Sequence, residues 1–159
     1  DDGQKRAAEP GVHRRDNGFA APAALQPWYN LVERGKYEDD LQAICVAHKV
    51  SVFPYYSLAN GFLTGKYRSK DDLGKSPRGL RSVDYLEGKG MRVLAALDEV
   101  AADTGASLAT VALAWTKIQP GITAPIASAT SLDQFKDLAA ALTLDLNAAQ
   151  IEQLDRASA

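Results

Sequence analysis

From Pro22 onward, short apolar runs alternate with longer stretches in which apolar residues recur every three or four positions. Ala23-Ala24-Leu25-Gln26 follows Pro22 and is closed by Pro27, which reads as a short strand. Tyr37, Leu41, Ile44, Cys45 and His48 fall on one helical stripe and predict an amphipathic helix over 36–48. Val50-Ser51-Val52-Phe53 is apolar and β-branched, as a buried strand should be, and Pro54 ends its ladder because it has no N–H to donate. Residues 91–102 place Leu94, Leu97 and Val100 on one helical face, broken by Thr104-Gly105. Ser107 is positioned to cap a helix carrying Leu108, Val111, Ala112, Trp115 and Ile118, halted by Pro120-Gly121. Ile122–Ile126 reads as a third apolar strand. Leu132, Phe135, Leu138, Ala139 and Leu142 mark a helix over 132–142, and Asn147 can cap a last helix with Ile151 and Leu154.

Two stretches lack such a period. Residues 1–17 are polar and read as a loose arm with a helix remnant at Val12–Asn17, leaving one unit over 18–159. Residues 68–90 are charged and rich in Gly and Ser, and read as a long connection of the kind that forms a lid or moves freely. Strands alternating with amphipathic helices point to an α/β fold of right-handed βαβ units on a parallel sheet. Three strands alone leave sheet edges unpaired, so self-association through those edges is expected.

Composition narrows the function classes. The 159 residues carry 18 basic and 20 acidic side chains, net −2, with no polybasic block, which argues against nucleic acid or an anionic membrane as partner. No apolar run reaches the roughly 18 residues a membrane helix needs. The single cysteine, Cys45, lies on a predicted apolar stripe and fits core packing in a reducing cytoplasm. The chain opens on Asp1, which reads as a fragment or a processed product.

The chemistry concentrates after the second strand, in Pro54-Tyr55-Tyr56-Ser57-Leu58-Ala59-Asn60-Gly61-Phe62-Leu63-Thr64-Gly65-Lys66-Tyr67. A strand ending in rings, exposed backbone N–H groups and a cation suits a flat ring joined to phosphates. Gly61 to Lys66 is one residue short of a P-loop and has Tyr67 where the magnesium-binding hydroxyl belongs. Tyr85-Leu86-Glu87-Gly88-Lys89 matches Tyr-x-x-x-Lys, but it sits in a polar loop with no G-x-G-x-x-G upstream, so it reads as coincidence. His13 and His48 have no carboxylate or cysteine partners in the sequence, which argues against a metal site. Glu38-Asp39-Asp40 reads as a solvated first turn of a helix.

Leu25-Gln26-Pro27-Trp28-Tyr29-Asn30-Leu31, the Pro54–Tyr67 stretch, Ala112-Leu113-Ala114-Trp115 and Pro125-Ile126-Ala127-Ser128 together resemble the aldo-keto reductases, nearest to bacterial members similar to potassium-channel beta subunits. The resemblance covers residues 18–157. It implies the C-terminal portion of a (β/α)8 TIM barrel, about three strands with their helices, incomplete as given. It also implies reduction of a small-molecule carbonyl by hydride transfer from a nicotinamide cofactor. Residue by residue, it implies that Gln26 meets the nicotinamide carboxamide, that Tyr55 stacks on the ring, and that Tyr56, Ser57, Leu58 and Ala59 line the pyrophosphate with their backbone. Tyr56-Ser57 departs from the commoner Ser-Pro of the family. Lys66 matches a phosphate-contacting lysine and Arg78 a basic residue of the covering loop, while Ser128, Thr130, Gln134 and Asp137 match positions around the adenosine ribose-phosphate. Some relatives carry Lys and Arg where Ser128 and Gln134 stand, and their absence here weakens the case for a 2′-phosphate, so the resemblance leans towards NADP(H) and leaves NAD(H) open. The family's catalytic Asp, Tyr, Lys and His come from earlier strands without counterpart here, so no catalytic residue and no metal ligand is assigned. The alternative is a non-catalytic module that binds a nucleotide or a partner.

Overall fold

The computed structural model describes Gly18 and residues 20–159. The arm at 1–17, its helix remnant and His13 lie outside them. Strand β1 is Ala24–Leu25 and strand β2 is Ser51–Val52, paired in parallel with Ala24 opposite Ser51 and Leu25 opposite Val52. Three N–H groups of the β2 segment donate across to the β1 segment: Ser51 to Ala23 O, Phe53 to Leu25 O and Tyr55 to Pro27 O, at 3.2, 2.9 and 2.9 Å. The predicted third strand lies along the other side of β2. It pairs as a bridge of Ile122 with Val52, and Thr123 N and Ile126 N reach Val52 O and Pro54 O, each at 2.8 Å. Pro125 lacks the N–H a longer ladder would use. The result is a helix-rich α/β chain with a small open parallel sheet.

The expected single helix over 36–48 is two: α1 at Gly35–Glu38 and α2 at Leu41–His48. Asp39 and Asp40 interrupt it, since aspartate competes with the helix for backbone hydrogen bonds. Glu38 therefore ends α1 rather than opening a solvated turn. Its carboxylate accepts from the Tyr29 hydroxyl and from Arg34 Nε. His48 faces solvent and not the core. Cys45 is buried, as its position on the stripe implies.

Helix α3 spans Lys89–Thr104 and α4 spans Leu108–Lys117, with Ser107 accepting from Thr110 N at 3.2 Å as its cap. Helix α5 covers Leu132–Ala140, and α6 covers Ala148–Ser158 behind a capping box of Asn147 and Gln150. The core gathers Tyr29, Leu31 and Tyr37 with Val52, Phe62 and Leu63, closed by Val93, Leu94 and Leu97 of α3, Trp115 of α4 and Leu154 of α6. Trp115 is fully buried, donates Nε1 to Asp155 at 3.0 Å and carries the Arg34 guanidinium over its ring.

Helix α5 departs from its pattern. None of its residues is buried, and Leu132, Phe135 and, beyond its end, Leu142 are 70%, 59% and 73% exposed. The 68–90 connection departs too, because it is built rather than formless. Lys70–Lys75 and Gly79–Tyr85 are 3-10 segments, the first opened by a Ser69–Asp72 capping box. Leu73 and Ser82 are buried, and a Cβ at Gly79 would lie 1.9 Å from Leu73 O, so glycine is required for the close approach. Among the described residues no helix is long and apolar enough to cross a membrane.

Candidate cofactor site at the strand ends

Because the three segments run parallel, their C-terminal ends lie at one edge of the sheet, where open α/β sheets and barrels gather ligands. Gln26 follows the last paired residue of β1 and is exposed. Tyr55 is half-buried and bridges to Trp28. Ser128 is exposed two residues beyond Ile126, whose N–H is tied to Pro54 O. The ladder thus brings Gln26, Tyr55 and Ser128 to one end of the sheet.

The rings at that end form a cluster. Tyr55 and Tyr56 lie with centroids 4.9 Å apart, and Trp28 meets Tyr56 edge-on at 5.4 Å. Lys36 Nζ sits 3.7 Å from the Trp28 centroid, within cation–π range. Beyond Tyr55 the backbone turns through left-handed conformations at Tyr56, Ala59 and Asn60, with φ of 55°, 47° and 58°. Strain of this kind in residues other than glycine collects at ligand-binding sites. Asn30 holds the turn. Its Nδ2 donates to Tyr56 O at 2.9 Å, while its Oδ1 accepts from Val32 N and Glu33 N. Asn30 is fully buried, and this role has no mark in the sequence. Ser57 is buried and donates to Pro54 O, so its hydroxyl is occupied by the turn and only its backbone faces other duties. Leu58 is half-buried against the core and Ala59 is buried.

The backbone N–H groups of Tyr56, Ser57 and Leu58 take no partner among the described residues. Lys66 is exposed and folds back over the loop, so that a Cβ at Gly61 would lie 2.9 Å from its Nζ. Arg78 is exposed and makes no ion pair among the described residues, whereas Arg68 and Lys75 on the same connection pair with Asp98 and Asp72. Those hydrogen bonds, from Lys75 and two backbone N–H groups, hold the Asp72 carboxyl well below the usual range. Thr130 and Gln134 are joined, Gln134 Oε1 accepting from Thr130 N and Oγ1 at 2.9 and 3.1 Å. Asp137 is half-buried and its carbonyl accepts from Thr110 Oγ1.

The groups here that could hold a nicotinamide dinucleotide are an exposed amide and a ring at the strand ends, N–H groups without partners among the described residues, Lys66, which lies over the Tyr67 ring, and the exposed Arg78. Tyr85 and Lys89 are otherwise engaged, Tyr85 with Glu33 and Lys89 with Ser158 O. No group of three or more His, Cys, Asp or Glu able to hold a metal occurs among the described residues.

A family model described as the aldo/keto reductase family matches residues 7–159. An Arabidopsis thaliana protein named as a probable voltage-gated potassium channel subunit beta is 28% identical over 124 residues, 75% of this chain and 38% of that protein. An uncharacterized oxidoreductase of Mycobacterium tuberculosis is 34% identical over 125 residues, 76% of this chain and 37% of its own length. An aldo-keto reductase of Babesia bovis is 38% identical over 71 residues, 43% of this chain and 25% of its own. The chain thus spans less than half the length of these relatives.

Proposed function

The chain belongs to the aldo/keto reductase family, and on that premise we propose that it is the C-terminal part of an NAD(P)H-dependent oxidoreductase that reduces aldehydes or ketones in the cytoplasm. In this reading its three parallel segments are the last strands of the family's (β/α)8 barrel. The cofactor, when bound, supplies the hydride. The residues of this chain bind and orient it, and the family's proton-donating tetrad has no counterpart among them.

The observation that carries the reading is the convergence of Gln26, Tyr55 and Ser128 at one end of the sheet. Gln26 offers the carboxamide both an acceptor and donors. Tyr55 offers a face for the nicotinamide ring, and the Trp28 and Tyr56 rings keep Tyr55 from turning away. The N–H groups of 56–58 and Lys66 answer the diphosphate, as Arg78 does from the covering segment. Thr130, Gln134 and Asp137, with Ser128, take the adenosine ribose. Lys66 and Arg78 answer a diphosphate that both nucleotides carry, and Ser128 and Gln134 are not basic, so NADP(H) is favoured over NAD(H) by the family resemblance alone.

Fluorescence titration of the 159-residue chain with NADPH and NADH tests this. Saturable binding is expected, tighter for NADPH, with no oxidation of NADPH above buffer when a panel of aldehydes is added. General acid–base help is worth roughly 10²–10⁴ in rate, and the group that gives it is missing. Absence of saturable binding for both nucleotides would sink the cofactor reading, and turnover that tracks the purified protein would sink the inactive one.

A further inference from the structure

Tyr56 occupies left-handed backbone at φ 55°, yet its ring is held from two sides, by Trp28 edge-on and by Tyr55 at 4.9 Å. Its phenol hydroxyl accepts from Arg81 Nη1 at 3.3 Å, across 25 residues of chain. Arg81 is exposed and forms no ion pair among the described residues, although Asp84 stands three positions on. On the same connection Arg68 has Asp98 and Lys75 has Asp72, whereas Arg81, like Arg78, takes no carboxylate among the described residues. A single bond to a neutral phenol leaves most of the five guanidinium donors, and all of the charge, unanswered. The N–H groups of Tyr56, Ser57 and Leu58 lie on the same turn, also without partners among the described residues.

We propose that Arg81, positioned by the Tyr56 hydroxyl, is an additional phosphate-binding residue that takes the diphosphate of the dinucleotide together with the backbone N–H groups of 56–58. This rests on the cofactor reading above. A guanidinium matches two phosphate oxygens with two parallel N–H groups, which an ammonium such as Lys66 cannot do. The phenol restricts a long side chain before the ligand arrives, so less freedom is lost on binding.

The test compares NADPH with dihydronicotinamide riboside, which keeps the ring and has no phosphate, on the 159-residue chain. Arg81→Met should raise the Kd for NADPH roughly tenfold or more, as loss of a hydrogen bond to a charged group does, and leave the Kd for the riboside unchanged. Tyr56→Phe should raise the NADPH Kd by about two- to tenfold, and should add nothing in the Arg81→Met background. An unchanged NADPH Kd for Arg81→Met, with Tyr55→Ala still weakening binding, overturns the role of Arg81 and leaves the cofactor site standing. Equal losses for NADPH and the riboside also overturn it, since Arg81 would then be holding the turn rather than a phosphate. If the unaltered chain binds neither ligand, the cofactor reading falls and Arg81 with it.

Discussion

The Tyr85 hydroxyl donates to Glu33 Oε1 at 2.9 Å, tying the end of the 79–85 segment to the chain just before α1. The Tyr85 ring also packs 5.3 Å from Phe62. Burial, with the Glu33 carboxylate beside it, pushes this phenol well above its ordinary range. A tyrosine that must activate a substrate needs the opposite. The Tyr-x-x-x-Lys spacing at 85–89 is therefore a structural clasp.

Tyr85→Phe keeps the ring and removes the bond. Stability should fall by about 0.5–1.5 kcal/mol, the usual net worth of one hydrogen bond, with NADPH affinity unchanged. Urea unfolding with a parallel fluorescence titration checks both. A large loss of NADPH binding with stability intact would make Tyr85 part of the site after all.

Alkaline pH should unfold the chain through two other tyrosines. Tyr29 and Tyr37 are fully buried, and burial raises both phenols, Tyr37 to about 12 and Tyr29 beyond that, with Glu38 adding to the effect on Tyr29. The folded state therefore keeps protons that the unfolded chain releases near its ordinary pKa of about 10. The stabilisation is whole below pH of about 10 and is lost as pH climbs towards the folded values, at up to roughly 1.4 kcal/mol per pH unit for each tyrosine. Melting temperatures should be level below pH of about 9 and drop steeply above 10. Tyr37→Phe should flatten part of the drop, and an identical profile in that variant would remove Tyr37 from the account.

Local signals were the legible ones. Ser107 and Asn147 announce their helices because a cap needs only a side chain and an N–H three residues away. Pro27 and Pro54 mark the strand ends where Gln26 and Tyr55 stand, since a residue without an N–H stops a ladder. Contacts between distant segments were not legible: nothing in the order of residues states that Asn30 holds Tyr56, or that Tyr85 meets Glu33. The 3-10 segments of 68–90 escaped because the pattern tracks a period of 3.6, and a tighter, shorter turn leaves no such trace. The stripe on α5 shows a different limit. Its period is correct and the helix is real, but a stripe records the need for a covering surface and not its presence.

Loss of the nicotinamide stack and of one phosphate contact should be separable by salt. Tyr55→Ala should weaken NADPH binding by about 1–3 kcal/mol through lost ring contact and apolar area, nearly independent of ionic strength. Lys66→Ala should cost a similar ~1–3 kcal/mol, and because Lys66 is exposed its share should shrink as salt rises. Titrations at low and high sodium chloride give both slopes. A Tyr55→Ala variant that binds as tightly as the parent chain would end the stacking role, and a salt-independent Lys66 effect would end the direct phosphate contact.

The exposed side of α5 sets the last expectation. Leu132 and Phe135 stand 70% and 59% exposed on one short helix, with Leu142 just past its end and Ile126 on the segment before it. Exposed apolar side chains favour association, because each square ångström removed from water is worth roughly 25 cal/mol. The sheet adds to this, since β1 and the 122–126 segment are each paired on one side only among the described residues. At micromolar concentration the purified chain should scatter light as dimers or larger species. Phe135→Glu places a charge in the middle of the apolar face without disturbing a helix that buries none of its residues, so it should shift the population towards monomer and leave the far-ultraviolet circular dichroism spectrum unchanged. Larger species that persist in Phe135→Glu would move the contact from α5 to the sheet edges. A sharply melting monomer for the unaltered chain would remove the association altogether.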